Sequence, residues 1–158
     1  NAFYIDRLVQ VAEVDMGRPV VVINVHLEAF DQATRYRQAE ALLALTRQYA
    51  SEYPVILMGD FNAPPPYDTQ EEYKEETLEL FLNEPLLASA ISQSQYDADP
   101  KAHYTYSSGD PLFMIDYIFY TPASIGLVEA RVLQEAGEIS DHLPVYGRFY
   151  FKSTATEP

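Results

Sequence analysis

The stretch Val55-Ile56-Leu57-Met58-Gly59-Asp60-Phe61-Asn62-Ala63-Pro64-Pro65 constrains this chain more than any other. Its opening run of four apolar residues reads as a strand buried on both faces. Gly59 admits a sharp turn at the strand end, and Pro64 to Pro66 stop a strand or a helix from continuing. Asp60 and Asn62 stand where the core strand emerges, two residues apart and so on one side of an extended backbone. On local pattern alone the pair fits either a polar grip on a ligand or an Asx turn.

The flanking sequence supplies a sheet and a helix for that strand to join. Residues 3–15 alternate apolar and polar from Leu8 onwards, which predicts a half-buried strand. After the turn Met16-Gly17-Arg18-Pro19, the β-branched run Val20 to Val25 predicts a buried partner, so the two form a hairpin in a largely antiparallel sheet. Asp31 caps a helix over residues 32–50 with Tyr36, Leu42, Leu43, Leu45 and Tyr49 inward, and Arg35 and Gln38 on one face. Residues 67–84 are acidic, with Thr69 and Glu72 as a capping box, and read as a helix with a solvated acidic face. Residues 85–92 predict a short helix, 93–103 a polar loop, and 104–107 a short strand. Further strands are expected at 114–120, 127–133 and 145–151, with the tail 152–158 frayed.

The chain carries 24 acidic against 10 basic residues, a net charge of -14. Such a surface repels long polyanions and suits the collection of divalent cations or action on a small substrate. The absence of cysteine excludes disulfides and thiolate metal sites and leaves the redox compartment open. No apolar run approaches the roughly 18 residues that span a bilayer. The chain opens on Asn1 inside an apparent strand, so its natural N-terminus is expected elsewhere, and the compartment is unknown.

Polar residues recur where apolar strands end: His26 and Glu28, Asp60 and Asn62, Asp116 inside a strand, Asp141 and His142 just before one. A carboxylate between Ile115 and Tyr117 is costly unless paired, and a histidine is its obvious partner. Singly, each residue has a plainer reading as a hydrogen-bonded structural histidine, an outward strand residue or a loop cap, and His103 reads as structural. Hard oxygen ligands without cysteine point to Mg²⁺, Mn²⁺ or Ca²⁺.

Together these residues resemble the endonuclease/exonuclease/phosphatase superfamily, the fold of pancreatic deoxyribonuclease. The resemblance rests on Val25-His26-Leu27 with Arg35-x-x-Gln38, Met58-Gly59-Asp60-Phe61-Asn62, Ile115-Asp116-Tyr117-Ile118 and Ser140-Asp141-His142-Leu143-Pro144. It implies an α/β (α+β) fold, half of a four-layered α/β/β/α sandwich with a mainly antiparallel sheet. The implied reaction is Mg²⁺-dependent hydrolysis of a phosphodiester or phosphomonoester, with Mn²⁺ or Ca²⁺ as alternative ions. In it Asp60 orients or deprotonates the attacking water and also serves as a metal ligand. Asn62 holds the scissile phosphate, and His142, oriented by Asp116, stabilises the phosphoryl oxygens. Asp141 is a metal ligand, and His26 is the second histidine on the phosphate.

Family members are about twice this long, and their first half supplies an Asn and a metal-binding Glu that this chain lacks. Residues 1–158 are therefore expected to be a single partial domain, the C-terminal half. The missing N-terminal half would come from the same gene product or a second chain. The substrate reading favours a small or lipid-borne phosphoester. A DNA nuclease or tyrosyl-DNA-type repair phosphodiesterase is the alternative, and a non-catalytic scaffold is the third. Specificity is expected from loops 63–77 and 93–111, where Tyr67, Tyr73, Tyr96, Tyr104 and Tyr106 offer rings to stack on a base or sugar, though most of them read as packing or loop anchors.

Overall fold

A computed structural model describes residues 7–70 and 73–153. The expected strand positions 3–6, the Glu72 half of the capping box and tail residues 154–158 lie outside it.

Strands β1 (Val9–Asp15) and β2 (Pro19–His26) form the expected antiparallel hairpin, Val9 opposite Val25 and Asp15 opposite Pro19. Helix α1 (Gln32–Ala50) starts where Asp31 Oδ1 accepts from Thr34 N at 2.7 Å, satisfying one of the helix's orphan donors. It returns the chain to β3 (Val55–Asp60), which runs parallel to β2. Beyond it come α2 (Glu79–Leu82), β4 (Ala88–Ser89), α3 (Gln93–Ala98) and β5 (Asp116–Tyr120). The sheet order is β1-β2-β3-β5-β4, antiparallel except at β2-β3. A second antiparallel sheet pairs β6 (Ile125–Val132) with β7 (Val145–Phe151).

One face of the main sheet is the core. Val21, Ile23, Val25, Val55, Leu57, Tyr117 and Phe119 are buried there with Ala39, Leu42 and Leu43 of α1. Phe61 sits at its centre, edge-on to Phe81, Tyr117 and Phe119 with ring centroids 5.1, 5.6 and 5.5 Å away. Each such ring pair adds about 0.5–1.5 kcal/mol beyond area burial.

The opposite face departs from expectation. Val55 and Leu57 are buried, but Ile56 is half-buried and Met58 is 36% exposed, so β3 is covered on one face only. All seven residues of β1 are exposed, where alternation predicted half burial. Alternation records which side chains share a face, not whether another layer covers it.

The acidic stretch is a second correction. Among its described residues only Glu79–Leu82 is α-helical, and three of the acids are buried and paired, not solvated. Tyr96 donates to Asp68 at 2.7 Å, Arg35 pairs with Glu75, and Arg47 pairs with Glu84. Their partners lie 28 to 40 residues away, beyond the reach of a local pattern. The helix expected at 85–92 is instead a short strand and turns. The helix actually forms at 93–98, where Ser92 and Gln95 make a capping box. Residues 104–107 contribute isolated bridges from Tyr106 to Phe113 and His142, not a strand.

Candidate active site

The register of the main sheet assembles the site. His26 is opposite Asp60 across the parallel pair, and Asp60 is opposite Asp116 across the antiparallel pair. Cross-strand partners point to the same side, so the three form one row on the face away from α1. The row sits at the carboxyl ends of β2 and β3. Gly59 makes this register attainable. Its φ is +137°, and a Cβ there would lie 2.0 Å from the Val25 carbonyl oxygen.

Asp60 is the hub. Its Oδ1 accepts from the Asn62 backbone N at 2.7 Å. Its Oδ2 accepts from Asn62 Nδ2 at 3.1 Å and lies 3.3 Å from His26 Nε2 and 3.9 Å from His142 Nε2. Asn62 is not extended, as the sequence implied, but left-handed at φ 50°, a conformation Asn tolerates better than most residues. That turn folds the amide back over Asp60 and lets Nδ2 also donate to the Leu27 carbonyl at 3.0 Å.

His142 arrives from the loop before β7. Its Nδ1 stands 2.8 Å from Asp116 Oδ2, the carboxylate–histidine pair expected from the sequence. With Nδ1 committed to the carboxylate, Nε2 faces Asp60 and the open side of the sheet. The Asp116 hydrogen bond raises the His142 pKa above 6.5, favouring the protonated ring. Burial, and then the neighbouring Asp116 charge, raise the Asp60 pKa above 3.8.

Asp60, Asp116 and His142 each offer a ligand atom, all within 4.8 Å of one another. The two carboxylates offer hard oxygen donors suited to a divalent cation, and the trio lacks the soft sulfur ligands of a structural zinc. Asp141 stands apart from that trio. It is exposed, and its carboxylate accepts from Ser140 Oγ at 3.3 Å.

Two neighbours of the site were not singled out by sequence. Thr105 is fully buried and takes the Ile115 and Asp116 backbone N–H groups on its Oγ1 at 3.1 and 3.3 Å. Its carbonyl accepts from Leu143 N at 2.7 Å, so one residue ties Asp116 to the loop bearing His142. Arg7 places Nη1 2.9 Å from His26 Nε2 and Nε 3.8 Å from Glu28 Oε2. Tyr106, one of the loop tyrosines read from the sequence, places its ring 5.0 Å from the His142 ring. Only the Tyr104-Thr105-Tyr106 alternation hinted at a buried Thr105.

A model of the endonuclease/exonuclease/phosphatase family matches residues 2–142. No curated protein matches the chain significantly. Among solved structures, the human Nocturnin catalytic domain with bound sulfate anion is similar at 26% identity and a TM-score of 0.69, over 92% of this chain and 53% of that one. A mannosyl-6-phosphatase from Bacteroides thetaiotaomicron shares the fold at 22% identity and a TM-score of 0.66, over 86% and 53%. So does D. rerio TDP2 complexed with single strand DNA product, at 16% identity and 0.68, over 91% and 62%. The chain spans little more than half the length of these structures.

Proposed function

The chain belongs to the endonuclease/exonuclease/phosphatase family, and on that premise we propose that it supplies one half of a metal-dependent phosphoesterase site. The observation that carries this reading is the convergence of Asp60, Asp116 and His142 within 4.8 Å, from two strand ends and a loop. A bound divalent cation would neutralise charge on the phosphoryl oxygens and acidify a coordinated water.

Asp60 and Asp116 would hold the ion, Mg²⁺ first, with Asp141 as a further ligand once its loop turns toward them. Asp60 accepts hydrogen bonds on both oxygens, which fixes the carboxylate plane for orienting or deprotonating the attacking water. Asp116 keeps the His142 ring in one orientation and favours its proton, so Nε2 donates to a phosphoryl oxygen as charge develops there. His26 contributes a second imidazole from the opposite side of Asp60. Asn62 reaches the phosphate by exchanging its Nδ2 bond to Asp60 while keeping the bond to Leu27.

The exposed β1 and the half-open face bearing Asn24, Ile56 and Met58 are the surfaces that an N-terminal half, in the same gene product or a second chain, would cover. Residues 1–158 are then one partial domain. The net charge of -14 favours a small or lipid-borne phosphoester over long DNA. The test is the complete gene product with Mg²⁺ against DNA, inositol phosphates, sphingomyelin and a bis-aryl phosphodiester. Hydrolysis of one class, abolished by EDTA, supports the reading. Full activity in EDTA, or no hydrolysis of any of the panel, ends it.

A further inference from the structure

The segment Leu27-Glu28 follows His26 directly, and all four of its backbone polar groups are held. Leu27 N donates to the Asp60 carbonyl at 2.9 Å, and the Leu27 carbonyl accepts from Asn62 Nδ2 at 3.0 Å. Those two bonds tie the segment to the strand end that carries the site. The other two tie it to α1. Glu28 N donates to Gln38 Oε1, and Arg35 Nη1 donates to the Glu28 carbonyl, both at 2.8 Å.

Arg35 has a further partner. Its Nε donates to Glu75 Oε2 at 2.9 Å, and its Nη2 donates to the same oxygen. Arg35 and Glu75 are each 8% exposed, and the other Glu75 oxygen has no hydrogen-bond partner among the described residues. The guanidinium is a planar, rigid fork. Two contacts to Glu75 set its plane, and that plane sets the direction in which Nη1 points. The carboxylate of Glu75 thus acts, through Arg35, on a carbonyl two residues beyond His26 and one beyond the residue that anchors Asn62.

We propose that Arg35, aligned by Glu75 and assisted by Gln38, is the positioning group that sets where His26 and the Asn62 amide stand against Asp60. The acidic loop before α2, a candidate determinant of specificity, is on this account mechanically linked to the strand-end site. The link rests on the phosphoesterase reading only for its effect on turnover.

A second ion pair on α1 supplies the control. Arg47 Nε donates to Glu84 at 2.7 Å, again between helix and acidic segment, but among the described residues no hydrogen bond or ion pair joins either one to Leu27-Glu28. In ¹H–¹⁵N spectra of the chain, Arg35→Lys keeps the charge and loses the fork, while Glu75→Gln keeps the shape and loses the charge. Both are expected to shift the Asn62 side-chain amide and His26 ring signals, and Gln38→Ala to shift them less. Arg47→Lys is expected to leave them in place. In the complete gene product, Arg35→Lys is expected to lower kcat roughly 10- to 100-fold, since misplacement by about 1 Å costs on that order, with KM changed less than about twofold.

Folded Arg35→Lys and Gln38→Ala variants with unmoved Asn62 and His26 signals overturn the proposal and leave a purely structural ion pair. Gln38→Ala decides alone if Arg35→Lys and Glu75→Gln do not fold, because it removes one hydrogen bond and no buried charge. Shifted signals in a gene product that hydrolyses no phosphoester would support the positioning role and end the catalytic reading. Unmoved signals with wild-type turnover would do the reverse.

Discussion

Replacing Gly59 with Ala should break the junction between fold and site. The added Cβ would sit 2.0 Å from the Val25 carbonyl oxygen and 2.9 Å from Val25 C and N. Carbon–oxygen contacts settle near roughly 3.3 Å, so backbone must move by more than 1 Å, with no flexible side chain to absorb it. The strands that must part are β2 and β3, whose register places His26 opposite Asp60. Overpacking of this kind costs about 1–3 kcal/mol. Forcing alanine to φ +137° adds about 1–3 kcal/mol of backbone strain. The sum, about 2–6 kcal/mol, is a large part of the 5–15 kcal/mol that typically holds a domain together. At roughly 2–4 °C per kcal/mol for a chain of this size, the melting temperature should fall by about 5–20 °C. Thermal unfolding followed by circular dichroism measures this directly. A variant melting within about 2 °C of the parent would refute the close-approach argument.

Other perturbations test separate parts of the account. Asp116 raises the His142 pKa above 6.5, so the folded chain holds that proton more tightly than the unfolded chain. The associated stability is complete below pH 6.5 and is lost as pH rises through the folded value. Asp116→Asn should lower the His142 titration midpoint read by NMR and flatten that decline, and an unchanged midpoint would contradict the pairing. Tyr96→Phe removes the 2.7 Å donor to the buried Asp68 carboxylate, a loss of about 1.5–3 kcal/mol. Its urea midpoint should drop accordingly, and no change would mean Asp68 finds another donor. Ser92→Ala deletes the α3 cap at about 0.5–2 kcal/mol. Amide exchange over residues 93–98 should quicken while the core is little affected.

Local chemistry carried the legible part of this structure. The β-branched run to Val25, the Asp31 cap and the apolar run into Gly59-Asp60 each declare their element within a few residues, and the hairpin, α1 and β3 form there. The polar residues at strand ends were also legible, and His26, Asp60, Asn62, Asp116 and His142 do converge. Asp141 does not join their ligand cluster, because its side chain points from an exposed loop toward Ser140. What stayed hidden depends on distant partners. Asp68, Glu75 and Glu84 look like a solvated run until Tyr96, Arg35 and Arg47 are brought to them. The exposure of β1 was hidden for a related reason, since a strand's own alternation says nothing about the layer that covers it. Thr105 was hidden because its role is to bond backbone 8 to 11 residues away.

The central claim is that Asp60 is the hub of a phosphoester-hydrolysing site. Asp60→Asn keeps the shape of the side chain and removes its charge and basicity. Mg²⁺-dependent hydrolysis of a bis-aryl phosphodiester by the complete gene product, with and without this substitution, tests the claim most directly. The account predicts a loss of about 10²- to 10⁴-fold in kcat in a variant that melts with the parent. A folded Asp60→Asn variant that turns over at the parental rate would contradict it.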